Sequence, residues 1–146
     1  MNRSRARWGD TEPVSRENVE IAREIYTRWA RADMRAGVEI FDSSIVFESF
    51  MPDANARVVA RGPAEIEAFM REFLAQWADY RLIGEDFRDA GTKVFVAGRQ
   101  AARGKQSGVE VEQPMHSVWT FRDGKIVGLR FTPFLDEALD AAGLRN

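Results

Sequence analysis

The chain has the length of one domain and a nearly balanced charge. Its 146 residues include 21 Lys+Arg and 23 Asp+Glu, and the net charge of −2 gives no field to attract nucleic acid or an anionic membrane. Cysteine is absent and histidine occurs once, so disulfides, thiolate sites and a multi-histidine metal site within one chain are excluded. No run approaches the roughly 20 apolar residues of a membrane helix.

The N-terminal region divides into an arm and a helix. Residues 1–14 are basic at the start but lack the apolar stretch of a secretory signal, so we expect a flexible arm and a cytoplasmic protein. Ser15 is a good N-cap and predicts the start of the first helix. The apolar stripe that follows comprises Val19, Ala22, Ile25, Tyr26 and Trp29. The aromatic end of this stripe, Tyr26 and Trp29, fits either core packing or the lining of a ligand cavity.

A short helix and a strand are predicted next. The helix covers 34–41, and the strand covers 45–50 after a turn. By the period of two, one face of the strand carries Ile45, Phe47 and Ser49, and the other carries Val46, Glu48 and Phe50. A second short strand is predicted at 57–60, within a loop.

The remaining order indicates an α+β domain. A third helix begins at Gly62 and Pro63, since proline at the first helical position loses no hydrogen bond. Its apolar stripe comprises Ile66, Phe69, Met70, Phe73, Leu74 and Trp77. Strands follow at 80–87 and 92–103, and a short helix closes the chain at 137–142. Because no strand–helix–strand alternation appears, we expect a curved antiparallel sheet with about three N-terminal helices on one face.

A long hairpin over residues 109–134 is the strongest pattern in the sequence. Asp123 and Gly124 suit a type I′ turn, in which both central residues need positive φ. Pairing counted from this turn places Trp119 opposite Gly128. It puts these residues on one face: Ser117, Trp119 and Arg130. The other face then carries His116, Val118, Leu129 and Phe131.

Three segments together resemble a known superfamily. They are SRENVEIAREIYTRWARAD, RGPAEIEAFMREF and SVWTFRDGKIVGLRF, supported by EALDAAGL near the end. The chain resembles the nuclear-transport-factor-2-like (NTF2-like) superfamily, in particular its SnoaL-like branch of small bacterial proteins. The resemblance implies a cone-shaped fold with a pocket, a single domain over 15–146 and a homodimer paired through the outer face of the sheet. It does not specify an activity, because many chemistries use this fold.

Two enzyme branches of the superfamily provide a test of activity. Alignment with the steroid isomerases places Ser49 and Ser117 where those enzymes have acidic residues. Serine cannot abstract a proton from carbon at neutral pH, so that reaction is not expected. Alignment with the epoxide hydrolases retains an arginine at Arg99 but puts Ala101 where the partner aspartate would stand. Water activation by that arrangement is therefore in doubt.

Candidate ligand-binding residues are both charged and aromatic. Arg99 and Arg130 would present guanidinium donors to a carboxylate, enolate or carbonyl oxygen, or would form structural salt bridges instead. The complete set comprises Tyr26, Trp29, Ser49, Arg99, Ser117, Trp119, Arg130 and Phe134, of which Phe134 would close the mouth of the pocket. Structural hydrogen bonding is the favoured role of the two serines, and donation to the same ligand oxygen is the alternative. The pattern contains no metal site.

Glu48 and His116 are the weak catalytic candidates, because the predicted faces turn both away from the other candidates. Two functions remain open. One is a protein that binds a small hydrophobic, oxygenated ligand. The other is an acid–base enzyme acting as a polyketide cyclase, isomerase, hydratase or hydrolase on a small ring. No nucleotide loop, metal cluster or flavin signature is present, so no cofactor is implied.

Overall fold

The computed structural model describes residues 3–51 and 55–144, with side chains from residue 15 onwards. Within these ranges three α-helices and seven strands form an α+β fold, as predicted. In chain order the elements are α1 (Arg3–Trp29), a 3-10 turn (Val38–Ile40), β1 (Phe41–Met51), β2 (Ala56–Arg61), α2 (Gly62–Leu74), β3 (Trp77–Ala90), β4 (Lys93–Gly104), β5 (Glu110–Pro114), β6 (His116–Arg122), β7 (Lys125–Thr132) and α3 (Leu135–Ala142). No helix among the described residues is both long and apolar enough to cross a membrane.

The strands form one curved sheet in the order β2-β1-β7-β6-β4-β3, with β5 pairing to β4. Every described pairing is antiparallel except that of β1 with β7, which is parallel. The sheet is therefore mixed, whereas the sequence predicted an antiparallel one. A long connection through α2 and five strands separates β1 from β7, which is the kind of crossover that a parallel pair requires.

Helices cover both faces of the sheet. On the concave face, α1 packs on β3 and β4, while α2 packs on β1 and β2. On the opposite face, which we call the outer face, α3 packs on β4, β6 and β7. Two apolar cores result, a main one under α1 and α2 and a smaller one where Ala138 and Ala142 of α3 meet Phe95 and Val118.

Two helix predictions need correction. The first helix begins at Arg3 rather than Ser15, whose hydroxyl instead donates to the carbonyl oxygen of Gly91 at 3.3 Å. The predicted helix at 34–41 is a turn followed by three 3-10 residues, because Gly37 has a φ of 94° that interrupts a right-handed helix. The side chains of residues 1–14 lie outside the described part, so the flexible arm stays a prediction.

The turn of the long hairpin is confirmed, but its register is only partly so. Asp123 and Gly124 both have positive φ, at 53° and 77°, as a type I′ turn requires. Arg122 pairs with Lys125 as predicted, and a β-bulge then leaves Val127 unpaired.

Beyond the bulge each pair is shifted by one residue. Trp119 pairs with Leu129 rather than Gly128, and Val118 pairs with Arg130. A shift of one residue turns each side chain to the other face of the sheet. The predicted grouping of Arg130 with Trp119 and Ser117 is therefore wrong, and Arg130 lies on the outer face.

Candidate functional site

A hollow of about 570 Å³ lies between α2, the connection that follows α1 and the concave face of the sheet. We call it the cavity. Its lining is mainly aromatic and aliphatic, and its ring-bearing residues are Trp29, Phe41, Phe47, Phe50, Phe69, Phe73, Trp77, Tyr80 and Phe131. The uncharged polar residues of the lining, apart from Tyr80 and the tryptophans, are Ser49, Gln100 and Gln113.

The stripe of α2 shows how the sequence leaves this space open. Ile66 is buried, but the remaining inward residues of the stripe are only half-buried: Phe69, Met70, Phe73 and Leu74. Each of these faces the cavity rather than a packed neighbour on every side. An amphipathic stripe that remains half-exposed on its inner side is typical of a ligand-sized hollow.

The polar groups of the cavity are uncharged and partly uncommitted. The hydroxyl of Tyr80 donates to Oε1 of Gln100 at 2.6 Å, and both residues are buried. Burial raises the pKa of Tyr80, so its hydroxyl stays protonated. The side chains of Ser49 and Gln113 have no hydrogen-bond partner among the described residues, and the buried indole Nε1 of Trp77 has none either. Over the same ranges, no three His, Cys, Asp or Glu side chains group as metal ligands.

Three charged residues lie at the rim of the cavity and are exposed to solvent. Arg35 and Glu67 form an ion pair of 3.4 Å between the connection after α1 and helix α2, and Arg71 lies further along the same helix.

Three of the predicted ligand residues form a packed hydrogen-bonded cluster next to the cavity. The hydroxyls of Tyr26 and Ser117 lie 2.8 Å apart, and the indole Nε1 of Trp119 donates to Oγ of Ser117 at 2.8 Å. All three residues are buried, and none lines the cavity. Burial raises the pKa of Tyr26, so this hydroxyl is also neutral. Trp29 does line the cavity, and its Nε1 donates to the carbonyl oxygen of Ala36 at 3.2 Å.

The two predicted arginines lie on the outer face, away from the cavity lining. Arg130 donates to Glu48 at 3.1 Å, and Glu48 also lies 3.7 Å from Arg57. Arg99 forms ion pairs with Glu85, at 2.9 Å, and with Glu112. These arginines therefore bind carboxylates of the chain itself, which was the structural alternative for both.

His116 and Glu48 also lie on the outer face. The Nδ1 atom of His116 accepts the backbone N–H of Gly98 at 3.2 Å, so the proton of the neutral ring is on Nε2. Burial lowers the pKa of His116, and the charge of Glu85 opposes this shift in part. Neither His116 nor Glu48 contributes to the lining of the cavity.

Phe134 is 49% exposed and precedes α3. Its ring packs edge-on against Phe50, with centroids 5.0 Å apart. Phe50 contributes to the lining of the cavity, whereas Phe134 does not. Of the eight predicted ligand residues, Trp29 and Ser49 are the two that the structure brings to the cavity.

Sequence reasoning missed Gln100, Tyr80 and most of the α2 stripe as site residues. A signal that Gln100 lies on the inner face was present. Gln113 shares the strand face of Trp119, and Gln113 lies opposite Gln100 in the sheet. Since neighbouring residues on a strand face opposite sides, placing Gln100 inside also places Arg99 outside.

Comparison with known proteins supports the fold. The sequence profile of the SnoaL-like domain matches residues 22–129. No protein with a curated description matches the chain.

Three solved structures illustrate the likeness. An NTF2-like protein of unknown function from Burkholderia pseudomallei K96243 is 21% identical, with a TM-score of 0.69 over 84% of this chain and 95% of that one. TerC, co-crystallised with polyporic acid, is 18% identical, with a TM-score of 0.68 over 86% and 98%. A hypothetical protein with a ketosteroid isomerase-like fold from Catenulispora acidiphila, in complex with trimethylamine, is 17% identical, with a TM-score of 0.66 over 86% and 94%. At these identities the likeness shows the fold alone. Because the profile match spans most of the chain, the protein belongs to the SnoaL-like domain family, with the NTF2-like fold.

Proposed function

We propose that this protein binds a small hydrophobic, oxygenated molecule in the cavity, and that the residues lining the cavity do not perform acid–base chemistry on it. The observation that carries the proposal is an aromatic hollow of about 570 Å³ in which the buried polar side chains are all uncharged. That volume falls within the range of about 300–1,000 Å³ typical of small-molecule sites.

The protonation states argue for binding rather than turnover. A general base must reach the proton that it removes and must be able to accept it near neutral pH. Ser49 and Gln100 cannot accept a proton at that pH, and burial raises the pKa of Tyr80 further from it. His116 and Glu48, which the enzyme hypothesis needs, lie on the opposite side of the sheet. Glu67, the carboxylate at the rim of the cavity, is exposed and paired with Arg35, so the described lining residues include no unpaired carboxylate or histidine.

The structural relatives support uptake of small organic molecules by this fold. TerC was co-crystallised with polyporic acid, and the Catenulispora protein was in complex with trimethylamine. These ligands are properties of those proteins. For this chain they support the choice of ligand class, which rests on the composition of its own cavity.

A homodimer in the cytoplasm remains part of the proposal. The expected dimer contact is the outer face of the sheet, where α3 covers β4, β6 and β7 and leaves the region of β3 and β5 open. Sedimentation velocity would test this assembly: a sedimentation coefficient of one 16.6 kDa chain at micromolar concentration would contradict it.

The binding test uses N-phenyl-1-naphthylamine, an uncharged dye that fluoresces when it enters an apolar site. Gln113→Trp places a large side chain in the cavity, and Glu112→Trp is its matched control because the adjacent residue points away from the cavity. We expect Gln113→Trp to weaken dye binding by roughly tenfold or more, equivalent to about 1.4 kcal/mol, and Glu112→Trp to leave it within about twofold. Failure of the native protein to bind the dye, or equal binding by both variants, would refute the proposal.

A further inference from the structure

We infer that Gln100 selects the ligand by donating a hydrogen bond to an uncharged carbonyl oxygen, so that the ligand class is an aromatic or polycyclic ketone rather than an acid or a plain hydrocarbon. This inference rests on the proposed function, because it concerns the same cavity. It assigns the recognition step to one side chain and defines the chemistry of the recognised group.

Tyr80 determines which end of the Gln100 amide is available to a ligand. Its hydroxyl donates to Oε1 of Gln100 at 2.6 Å, so the oxygen end of the amide is occupied. The nitrogen end carries two N–H donors, and no described residue accepts from them. Gln100 is only 8% exposed and lines the cavity. An amide nitrogen that is accessible from the cavity and has no protein acceptor favours a ligand that supplies one.

The surroundings of Gln100 confine this polarity to a small part of the lining. Gln113 is its direct partner across the β4·β5 ladder and lies on the same face. Leu82 is its partner on the other side, in β3, and is apolar and buried. Ser49, which is also uncommitted, lies on β1, three strands away in the sheet. The indole Nε1 of Trp77, at the start of β3, is a buried donor without a partner among the described residues. The two neighbouring amides form a polar spot in a mainly apolar wall.

The absence of positive charge among the buried lining residues distinguishes a ketone from a carboxylate. Arg99 precedes Gln100, but it points to the outer face and binds Glu85 and Glu112. The arginines that line the cavity, Arg35 and Arg71, are exposed at its rim. Because a carboxylate loses much of its hydration in such a site and gains no buried cation in return, a neutral carbonyl is preferred.

The test compares three ligands with one ring skeleton by displacement of N-phenyl-1-naphthylamine: fluorene, 9-fluorenone and fluorene-9-carboxylate. The native protein should bind fluorenone about two- to tenfold more tightly than fluorene, which is the net effect of one neutral hydrogen bond. It should bind the carboxylate more weakly than fluorenone. Gln100→Leu should abolish the preference, so that the ratio of fluorenone affinity to fluorene affinity falls to about one. Arg99→Leu, the neighbouring change on the outer face, should retain the preference.

Tyr80→Phe tests the positioning role separately. Without the hydroxyl, the Gln100 amide can rotate, so the ratio of fluorenone affinity to fluorene affinity should decrease. This variant also tests the arrangement should Gln100→Leu fail to fold. Equal affinity of the native protein for fluorene and fluorenone, or a preference that survives both substitutions, would overturn the role of Gln100 and leave the binding function intact. Failure of the dye and fluorene to bind at all would instead overturn the proposed function.

Discussion

Ser117→Ala provides a sharp test of whether the buried cluster next to the cavity is structural. The hydroxyl of Ser117 accepts from Nε1 of Trp119 and shares a hydrogen bond with the hydroxyl of Tyr26, both at 2.8 Å. Ser117 and Trp119 are fully buried, so water cannot replace the lost acceptor. The substitution therefore leaves two polar groups without partners.

The expected loss of stability follows from the penalty for each buried group that is left without a hydrogen-bond partner. A buried donor or acceptor left unsatisfied costs about 1–3 kcal/mol, and removing the serine hydroxyl relieves part of its own desolvation. We expect Ser117→Ala to lower the free energy of unfolding by about 2–4 kcal/mol. For a domain of 146 residues the unfolding entropy is about 0.3 kcal/mol per degree, so Tm should fall by about 7–13 °C.

Urea and thermal denaturation followed by far-UV circular dichroism would measure this loss, and Tyr26→Phe supplies the matched control. Tyr26→Phe alone leaves Ser117 bonded to Trp119 and should cost about 1 kcal/mol. In the Ser117→Ala background it removes one of the orphaned groups, so the double variant should be about 1 kcal/mol more stable than the sum of the two losses predicts. A loss below about 0.5 kcal/mol for Ser117→Ala, or weaker dye binding at unchanged stability, would refute the structural role.

Three further changes test the outer face and the ladder. Arg130→Ala should leave dye affinity within about twofold and lower the free energy of unfolding by at most about 1 kcal/mol, because the Arg130 side chain is 37% exposed. Dye titration would measure the affinity, and urea denaturation would measure the stability. A large loss of affinity would show that Arg130 belongs to the site. The folded pKa of His116 lies below the usual value of about 6.5, so the unfolded chain binds the proton first and stability should fall as the pH drops through that value. His116→Asn should reduce the difference in Tm between pH 7.5 and 5.5, and an unchanged difference would exclude His116 as its source. Gly98→Ala should lower the free energy of unfolding, measured in urea, by more than about 2 kcal/mol, because the new Cβ would lie 2.2 Å from a backbone carbonyl oxygen of β3. Gly104→Ala is the control: its Cβ comes close only to a flexible serine side chain, so the loss of stability should be far smaller.

Features that depend on a single helix, strand or turn were predicted correctly from the sequence. Alternation along β1 placed Phe47 and Ser49 on the inner face, and both are buried there. Proline at the start of α2 and positive φ at Asp123 and Gly124 are likewise local requirements. Each depends on backbone geometry over a few residues, so the rest of the fold has little opportunity to override it.

The position of Arg130 could not be predicted because it depends on a single extra residue in the partner strand. The bulge at Val127 shifts the register between the turn and Arg130, and the sequence gives no strong signal for it. The prediction that Arg99 lines the cavity was wrong for a different reason. Its strand is apolar on both faces, since Phe95 packs under α3 while Val94 and Val96 pack under α1. Alternation alone does not show which of two apolar faces encloses the cavity.

The ladder between β4 and the strands β5 and β6 explains why the concave side is packed at one end and hollow at the other. Near the hairpin turn its inward pairs join Trp119 to Val94 and Ser117 to Val96, and all four residues are fully buried. Further along, Gly98 has no side chain, and the Cβ of any other residue there would collide with β3. The next inward pairs join Gln100 to Gln113 and Ala102 to Val111. These side chains project into the cavity or leave space beneath the half-buried rings of α2, instead of filling it as the indole of Trp119 does. The closed end thus depends on bulky residues with satisfied hydrogen bonds, and the open end depends on small residues and uncommitted amides.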